Sequence, residues 1–470
     1  MIATSFLVVS LIGAWFTFNA FNPMLAHRRR SIISFFAGWL TAELALHQIA
    51  WQVLAAVVFV WLGALAAWPG QVALGICVAS WAALLLLFRR ASQAETVVED
   101  ALRRGLGDDY RARILREFVE MLPASVNWRE IALPFPMRDP RVERIRDIAY
   151  ADGGRRGRKR GLKLDLYRPR EAPPGPGGDV AGAPRRPRPI LLQIHGGAWV
   201  VGSKNEQGIP LMLRMASHGW LCAAIDYRLS PHATFPDQIV DVKRAIRWLK
   251  EHAAEYGADP DFIVVTGGSA GGHLSSLAAL TPNAPEFQPG FEDDDTTVQG
   301  CVSFYGVYDF TNREGVYRHT GMQDLLARWV MKGSLEEARA RYEQASPLYR
   351  VSADAPPFFL VHGDLDSLVP VGEARSLHQA LRQVSQQPVA YAEIPGAQHA
   401  FEIFPSLRSA LAIDGVERFL FVVYSEHLQR AEARSGAASP GDGIGSEALH
   451  RGAQLVEPVL EEVPGTGDHP

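Results

Sequence analysis

The chain is poor in cysteine, with only Cys77, Cys222 and Cys301 in 470 residues. Cys77 stands in an apolar helical stretch and the other two in short apolar runs, so all three read as small core hydrophobes. Their number and spacing exclude a disulfide scaffold and a cysteine-based metal cluster. An excess of positive charge is also lacking. The formal net charge is −4, which gives no electrostatic basis for nucleic-acid binding. Charge is nearly absent from residues 1–88, and no basic segment precedes the first apolar run, which argues against a secretory signal peptide.

What fills residues 1–90 is a helical membrane region. Ile2 to Phe21 is apolar and long enough to span a bilayer. The charges follow it, at His27, Arg28, Arg29 and Arg30. Ser31 to Trp68 is a second apolar stretch, interrupted by Glu43, His47, Gln48 and Gln52. Trp68 to Gln71 reads as a turn, and Val72 to Phe88 as a further span closed by Arg89-Arg90. The expectation is three crossings. The middle one is either a long tilted helix or an interfacial segment leading into a span near Trp51 to Trp68. Four crossings is the alternative. Because basic clusters favour the cytoplasmic side, Arg28 to Arg30 and Arg89-Arg90 should share it. That puts the N-terminus outside and the large C-terminal domain in the cytoplasm. Glu43 and His47, four apart, are expected on one helix face, packed in the bundle or near an interface rather than acting as a functional pair.

Residues 91–140 read as linker helices. Leu102, Leu106, Ile114, Leu115, Phe118 and Met121 fall at helical spacing, Pro123 stops the pattern, and Pro134, Pro136 and Pro140 mark extended chain. Residues 141–428 then alternate strand and helix, the pattern of an α/β fold with a mostly parallel sheet covered by helices. Arg144 to Tyr150 and Leu162 to Tyr167 alternate with period two and read as a half-exposed antiparallel pair at the sheet edge. Arg158, Lys159 and Arg160 lie at the tip between them. A helical insertion at about 312–350 interrupts the alternation and is expected to cap the substrate site. The Pro/Gly-rich run from Arg168 to Pro189 and the tail 429–470 read as disordered.

The centre of the chemistry is Phe262 to Leu280. A β-branched apolar run leads into Gly267-Gly268-Ser269-Ala270-Gly271-Gly272-His273, and small and apolar residues at helical spacing follow. A serine in G-x-S-x-G at a sharp strand-to-helix turn has its hydroxyl pushed out above the sheet edge. The flanking glycines let strand and helix pass closely. The Ala270 amide, at the helix start, can face a developing oxyanion. Such a serine needs a base, and the base a carboxylate. Ligands in these sheets gather at the carboxyl ends of strands. One strand end carries His362-Gly363-Asp364-Leu365-Asp366, and the next carries Pro395-Gly396-Ala397-Gln398-His399. His399 is the candidate base. Asp364 and Asp366 are both candidates for the carboxylate, and the residues alone do not separate them. His195-Gly196-Gly197-Ala198-Trp199, straight after another strand, supplies free backbone amides; those of Gly197 and Ala198 are expected to join that of Ala270 as an oxyanion hole. His195 reads as a residue that shapes this loop. Trp199 walls the acyl side of the pocket or packs in the core.

Together with Asp226-Tyr-Arg-Leu-Ser-Pro231, the helix Asp241 to Leu249 and His399-x-Phe401, these motifs resemble the alpha/beta-hydrolase superfamily from about Asp165 to His427. Within it the chain is similar to the hormone-sensitive-lipase-like carboxylesterases and the feruloyl-esterase-like, kynurenine-formamidase-like and prenylcysteine-methylesterase-like hydrolases. The resemblance implies Ser269 as nucleophile, His399 as base and, from its place four residues after His362, Asp366 as carboxylate. It implies support of the active-site floor by Asp226 and Arg228. Ala198 stands where the lipase-like group commonly has a third glycine, so the His-Gly-Gly-x-Trp form is nearer the feruloyl-esterase-like and formamidase-like groups.

The function expected is a membrane-anchored serine hydrolase of carboxylic esters, acting on a small, apolar or lipid-derived ester at the bilayer. An amide or aryl-formamide hydrolase with the same triad is the alternative, and a non-catalytic scaffold of this fold a third. No motif supports a metal or nicotinamide cofactor, since the glycines at Ser269 belong to the nucleophile turn.

Overall fold

The computed structural model describes residues 1–24, 28–152, 161–170 and 186–437. The basic tip Arg158 to Arg160, most of the Pro/Gly-rich run and the tail beyond Ala437 lie outside them. Met1–His427 forms one compact unit, and Leu428–Pro470 is assigned to a second.

Four helices open the chain: α1 (Ile2–Phe21), α2 (Arg28–Glu43), α3 (Ala45–Trp61) and α4 (Trp68–Leu106). Among the described residues α1 and α4 are long and apolar enough to cross a bilayer. Small polar side chains join them, with Thr17 and Ser80 hydroxyls 2.8 Å apart and Ser10 3.2 Å from Cys77. Close packing of small residues and buried hydroxyl bonds suits helices that no hydrophobic drive presses together. α2 and α3 meet at a 90° bend and count as a third span only if taken together.

This geometry corrects two expectations. Glu43 and His47 do not share a helix face, because the chain bends between them. Glu43 ends α2 and is buried against Arg408, 3.0 Å away, while His47 in α3 reaches the Ala132 carbonyl. Nor do Trp68 to Gln71 form the turn. The chain reverses over residues 62–67, and Trp68 starts α4 with Pro69 in its first turn. A proline there loses no hydrogen bond and has its φ already set for helix, so it begins this helix instead of breaking one.

α4 does not stop at Arg89-Arg90. It continues to Leu106, and its second half packs on the last strand of the sheet. Ala94, Val98, Ala101 and Leu102 are buried there. A Cβ on Gly105 would lie 2.6 Å from Ala390 Cα, so only glycine allows this approach. Two short helices follow, α5 (Arg116–Val119) and α6 (Trp128–Ala132).

Among the described residues the sheet has eight strands in the order β1-β2-β4-β3-β5-β6-β7-β8. They are β1 (Val142–Ala151), β2 (Leu162–Pro169), β3 (Arg188–Ile194), β4 (Leu221–Ile225), β5 (Ala258–Gly268), β6 (Gly300–Phe304), β7 (Phe358–Gly363) and β8 (Val389–Ile394). β2 is antiparallel to both neighbours, and β3 to β8 are parallel. Of the edge pair only β1 is half-exposed. β2 lies between β1 and β4, so Leu164, Asp165, Leu166 and Tyr167 are all buried. The buried Asp165 carboxylate is compensated by Arg144 and by Lys204, the latter at 2.9 Å.

The helices of this region wrap the sheet: α7 (Ile209–Ser217), α8 (Asp237–His252), α9 (Ala270–Leu280), α10 (Gly321–Leu325), α11 (Leu335–Ala345), α12 (Gly372–Val384) and α13 (Leu407–Ala437). α13 runs past the expected start of the tail at 429. Register decides where chemistry can gather. Ile194 pairs with Gly267, Gly268 with Phe304, Phe304 with Val361, and Gly363 with Ile394. The loops that leave β3, β5, β6, β7 and β8 therefore emerge at one level, along the carboxyl edge.

Candidate active site

Ser269 stands between β5 and α9 with φ 59° and ψ −120°, a conformation an L-residue adopts only when its surroundings enforce it. Its amide donates to the Phe304 carbonyl at 3.0 Å, and its carbonyl accepts from His273 at 2.9 Å. The glycines on either side are compulsory. A Cβ at Gly267 would lie 2.5 Å from the Ile194 carbonyl oxygen, and one at Gly271 would lie 2.0 Å from it.

The two aspartates of the β7 loop part company. Asp366 is buried, and its Oδ2 accepts from His399 Nδ1 at 2.6 Å. Its Oδ1 accepts from the amides of Leu368 and Val369 at 2.9 and 2.8 Å. Burial alone would raise this carboxyl, but the adjoining His399 and His362 more than reverse that and hold it well below the usual carboxylate range. Asp364 faces away, bonded to Arg90 at 2.8 Å and to the Gly396 amide at 2.6 Å. The His399 ring is packed by Tyr305, with ring centroids 4.5 Å apart, and its amide donates to Gln398 Oε1 at 2.9 Å.

The β3 loop is strained in the same way, with positive φ at Gly197, Ala198 and Trp199. The Gly196 amide is taken by Gln207 at 2.6 Å. Those of Gly197 and Ala198 take no partner among the described residues. His195 is buried, stacks on Tyr227 at 4.3 Å and donates from Nδ1 to its neighbour's carbonyl at 2.7 Å. Burial lowers its pKa. Trp199 both packs and lines the site. It is buried, donates from Nε1 to His273 Nδ1 at 3.1 Å, and forms one wall of the cavity. Asp226 and Arg228 do not reach that cavity. Asp226 accepts from the Lys204 amide at 2.9 Å, and Arg228 forks onto Asp241 with two bonds of 2.7 Å. They brace the β4 loop from below.

A cavity of about 270 Å³ holds Ser269, His399, Ala198 and Trp199 in one lining. Tyr317, His319, Met322 and Leu325, from the stretch 312–350, line it too. Three contributions escape the sequence reading. His273, part of the nucleophile motif, links Trp199 to the insertion by bonding the Ala345 carbonyl at 2.7 Å. Tyr305, at the end of β6, bonds the buried Glu402 and flanks His399. The third comes from the membrane region, since Ser31 and Ile32 of α2 line the same cavity. No local signal marks the last two. His273 has one, its fixed place four residues after Ser269.

The chain is similar to the probable carboxylic ester hydrolase LipM of Mycobacterium tuberculosis, 43% identical over 92% of this chain and 96% of the relative. It belongs to that family of alpha/beta-hydrolase-fold carboxylic ester hydrolases. It is also similar to esterase LipQ of the same organism, 36% identical over 87% of this chain and 89% of the relative. A third relative, esterase LipC, is 41% identical over 53% of this chain and 62% of its own length. The family model described as BD-FAE matches residues 181–381, which takes in Ser269 and Asp366 and stops before His399. The protein is accordingly a carboxylesterase/lipase-like serine hydrolase. A narrower placement with the hormone-sensitive-lipase-like group does not follow from these matches.

Proposed function

We propose that the protein is a membrane-anchored hydrolase that cleaves apolar or lipid-derived carboxylic esters through an acyl-enzyme on Ser269. The observation that carries this reading is the 2.6 Å bond from His399 Nδ1 to Asp366, with Ser269 and His399 lining one cavity. With Nδ1–H given to Asp366, the neutral imidazole has Nε2 free to accept the Ser269 proton. Ser269 Oγ attacks the ester carbonyl, and the amides of Gly197, Ala198 and Ala270 hold the oxyanion. His399 returns the proton to the departing alcohol. Water then gives its proton to His399 and attacks the acyl-serine; the bond to Ser269 Oγ breaks as His399 returns that proton to it, and the acid is released. His195, Gly196, Asp226 and Arg228 serve by holding the loops in shape.

Basic residues flanking the apolar helices support a cytoplasmic catalytic domain. Arg90 joined to Asp364 keeps the end of the last span at the catalytic domain. A reporter fused after residue 95 should be active only if it is cytoplasmic, and activity of an extracytoplasmic reporter there would reverse the orientation. The test of the reaction is a panel on the purified full-length protein: p-nitrophenyl esters from acetate to palmitate, a triacylglycerol and an aryl formamide, each beside Ser269→Ala. Ester turnover that vanishes in the variant is expected. A strong preference for the formamide would move the assignment to an amidase.

A further inference from the structure

We infer that helix α2 of the membrane region is a wall of the substrate pocket, and that Ile32 on it sets which acyl chains the enzyme accepts; this rests on the proposed reaction at Ser269. The helix is fixed on the catalytic domain from end to end. At its start, Ser367 Oγ donates to the Ser31 carbonyl at 3.3 Å. In its middle, Trp39 Nε1 donates to the Ala400 carbonyl at 2.9 Å, next to His399. At its end, the buried Glu43 accepts from Ser406 at 2.7 Å and from Arg408 at 3.0 Å, and Arg408 also bonds the Pro395 carbonyl at 2.9 Å. A peripheral amphipathic helix would not bury an ion pair against the domain it merely adjoins, because removing both charges from water is costly unless they are well paired.

The side chains of α2 continue the argument. Phe35 is buried with its ring edge-on to His399 at 6.0 Å and stacked on Trp39 at 5.3 Å. The base is therefore held between Tyr305 from the sheet and Phe35 from the membrane region. Ile32, one turn earlier, lines the cavity with Ser269 yet is 44% exposed, which puts it at the mouth. Phe36 and Leu40, one and two turns further along the same face, are also exposed apolar residues. An apolar mouth bordered by exposed apolar side chains on a bilayer-associated helix suits an acyl chain entering from the lipid phase. Val307, Met322 and Leu325 add further apolar side chains to the same lining. A chain longer than the cavity must pass Ile32, whereas an acetyl group need not.

The experiment uses full-length protein in detergent micelles. It compares kcat/KM for p-nitrophenyl acetate, butyrate and octanoate in Ile32→Trp, Ile32→Ala and Ile33→Trp. Rates are expressed per Ser269 labelled by a fluorophosphonate, so misfolded protein drops out. Filling the mouth should lower the octanoate-to-acetate ratio about tenfold or more in Ile32→Trp, the scale a hydrophobic pocket commands. Ile32→Ala should raise it, and Ile33→Trp should keep the wild-type ratio. If Ile32→Trp and Ile32→Ala leave the ratio unchanged while Ser269→Ala abolishes turnover, the pocket-wall assignment is overturned and the reaction stands. Turnover surviving in Ser269→Ala overturns both.

Discussion

Two regions meet at one cavity and reach it by different physics. The loops leaving β3, β5, β7 and β8 are placed by sheet register, which sets four strand ends at one level. Helix α2 belongs to no sheet and is placed by individual bonds: a buried ion pair, an indole N–H and a serine hydroxyl. The first arrangement makes chemistry a property of topology, so that residues far apart in sequence converge wherever the fold forms. The second makes pocket shape a property of a few contacts between the membrane region and the catalytic domain. Losing a bond in the first region should therefore impair the reaction, while losing one in the second should loosen the assembly.

The largest effect expected is at Asp366. Asp366→Asn should reduce kcat/KM by roughly 10³–10⁴-fold, because the amide no longer stabilises the imidazolium or fixes its tautomer. Asp364→Asn, whose partners are Arg90 and the Gly396 amide, should lose less than about tenfold. Steady-state kinetics of both folded variants decides this, and equal losses would mean that the strand-end loops do not divide the two roles.

Next comes Arg408→Met, which leaves Glu43 buried without its partner. Thermal unfolding of the detergent-solubilised protein should show a loss of about 3–5 kcal/mol, partly recovered when Glu43→Gln is added. A loss below about 0.5 kcal/mol would mean that α2 is not held by this pair.

A smaller effect is tied to pH. Burial raises the Glu402 carboxyl to about 7, against a hydrogen bond from Tyr305 that lowers it. The folded state thus keeps a proton that the unfolded chain releases near the ordinary glutamate value. Stability should be greatest below that value and fall as pH rises towards about 7, by roughly 3 kcal/mol in all. Glu402→Gln should flatten the curve. An unchanged slope would show that Glu402 is ionised in the folded protein.

The difference between the two regions also explains what the sequence disclosed. The serine turn is local: a strand, obligatory glycines and a helix within a few residues. The histidine and its strand end follow the same grammar, which is why residue types alone pointed to both. The choice between Asp364 and Asp366 needed a resemblance, because each sits on the right loop. What turns Asp364 aside is Arg90, 274 positions earlier. α2 was harder still. An apolar run reads alike whether it spans lipid or roofs a pocket. The bend after Glu43 carries neither proline nor glycine, and the arginine that fastens Glu43 lies 365 positions on. The second half of α4 falls among the expected linker helices because Arg89-Arg90 closes a span. In the fold the helix simply continues until it packs on β8.

The most direct test of the account is to locate the covalent intermediate. Full-length protein treated with an alkyl fluorophosphonate, then digested and sequenced by mass spectrometry, should carry the label on Ser269. Labelling should be absent in Ser269→Ala and strongly slowed in Asp366→Asn. A label on another residue, or one that persists in Ser269→Ala, would contradict the account.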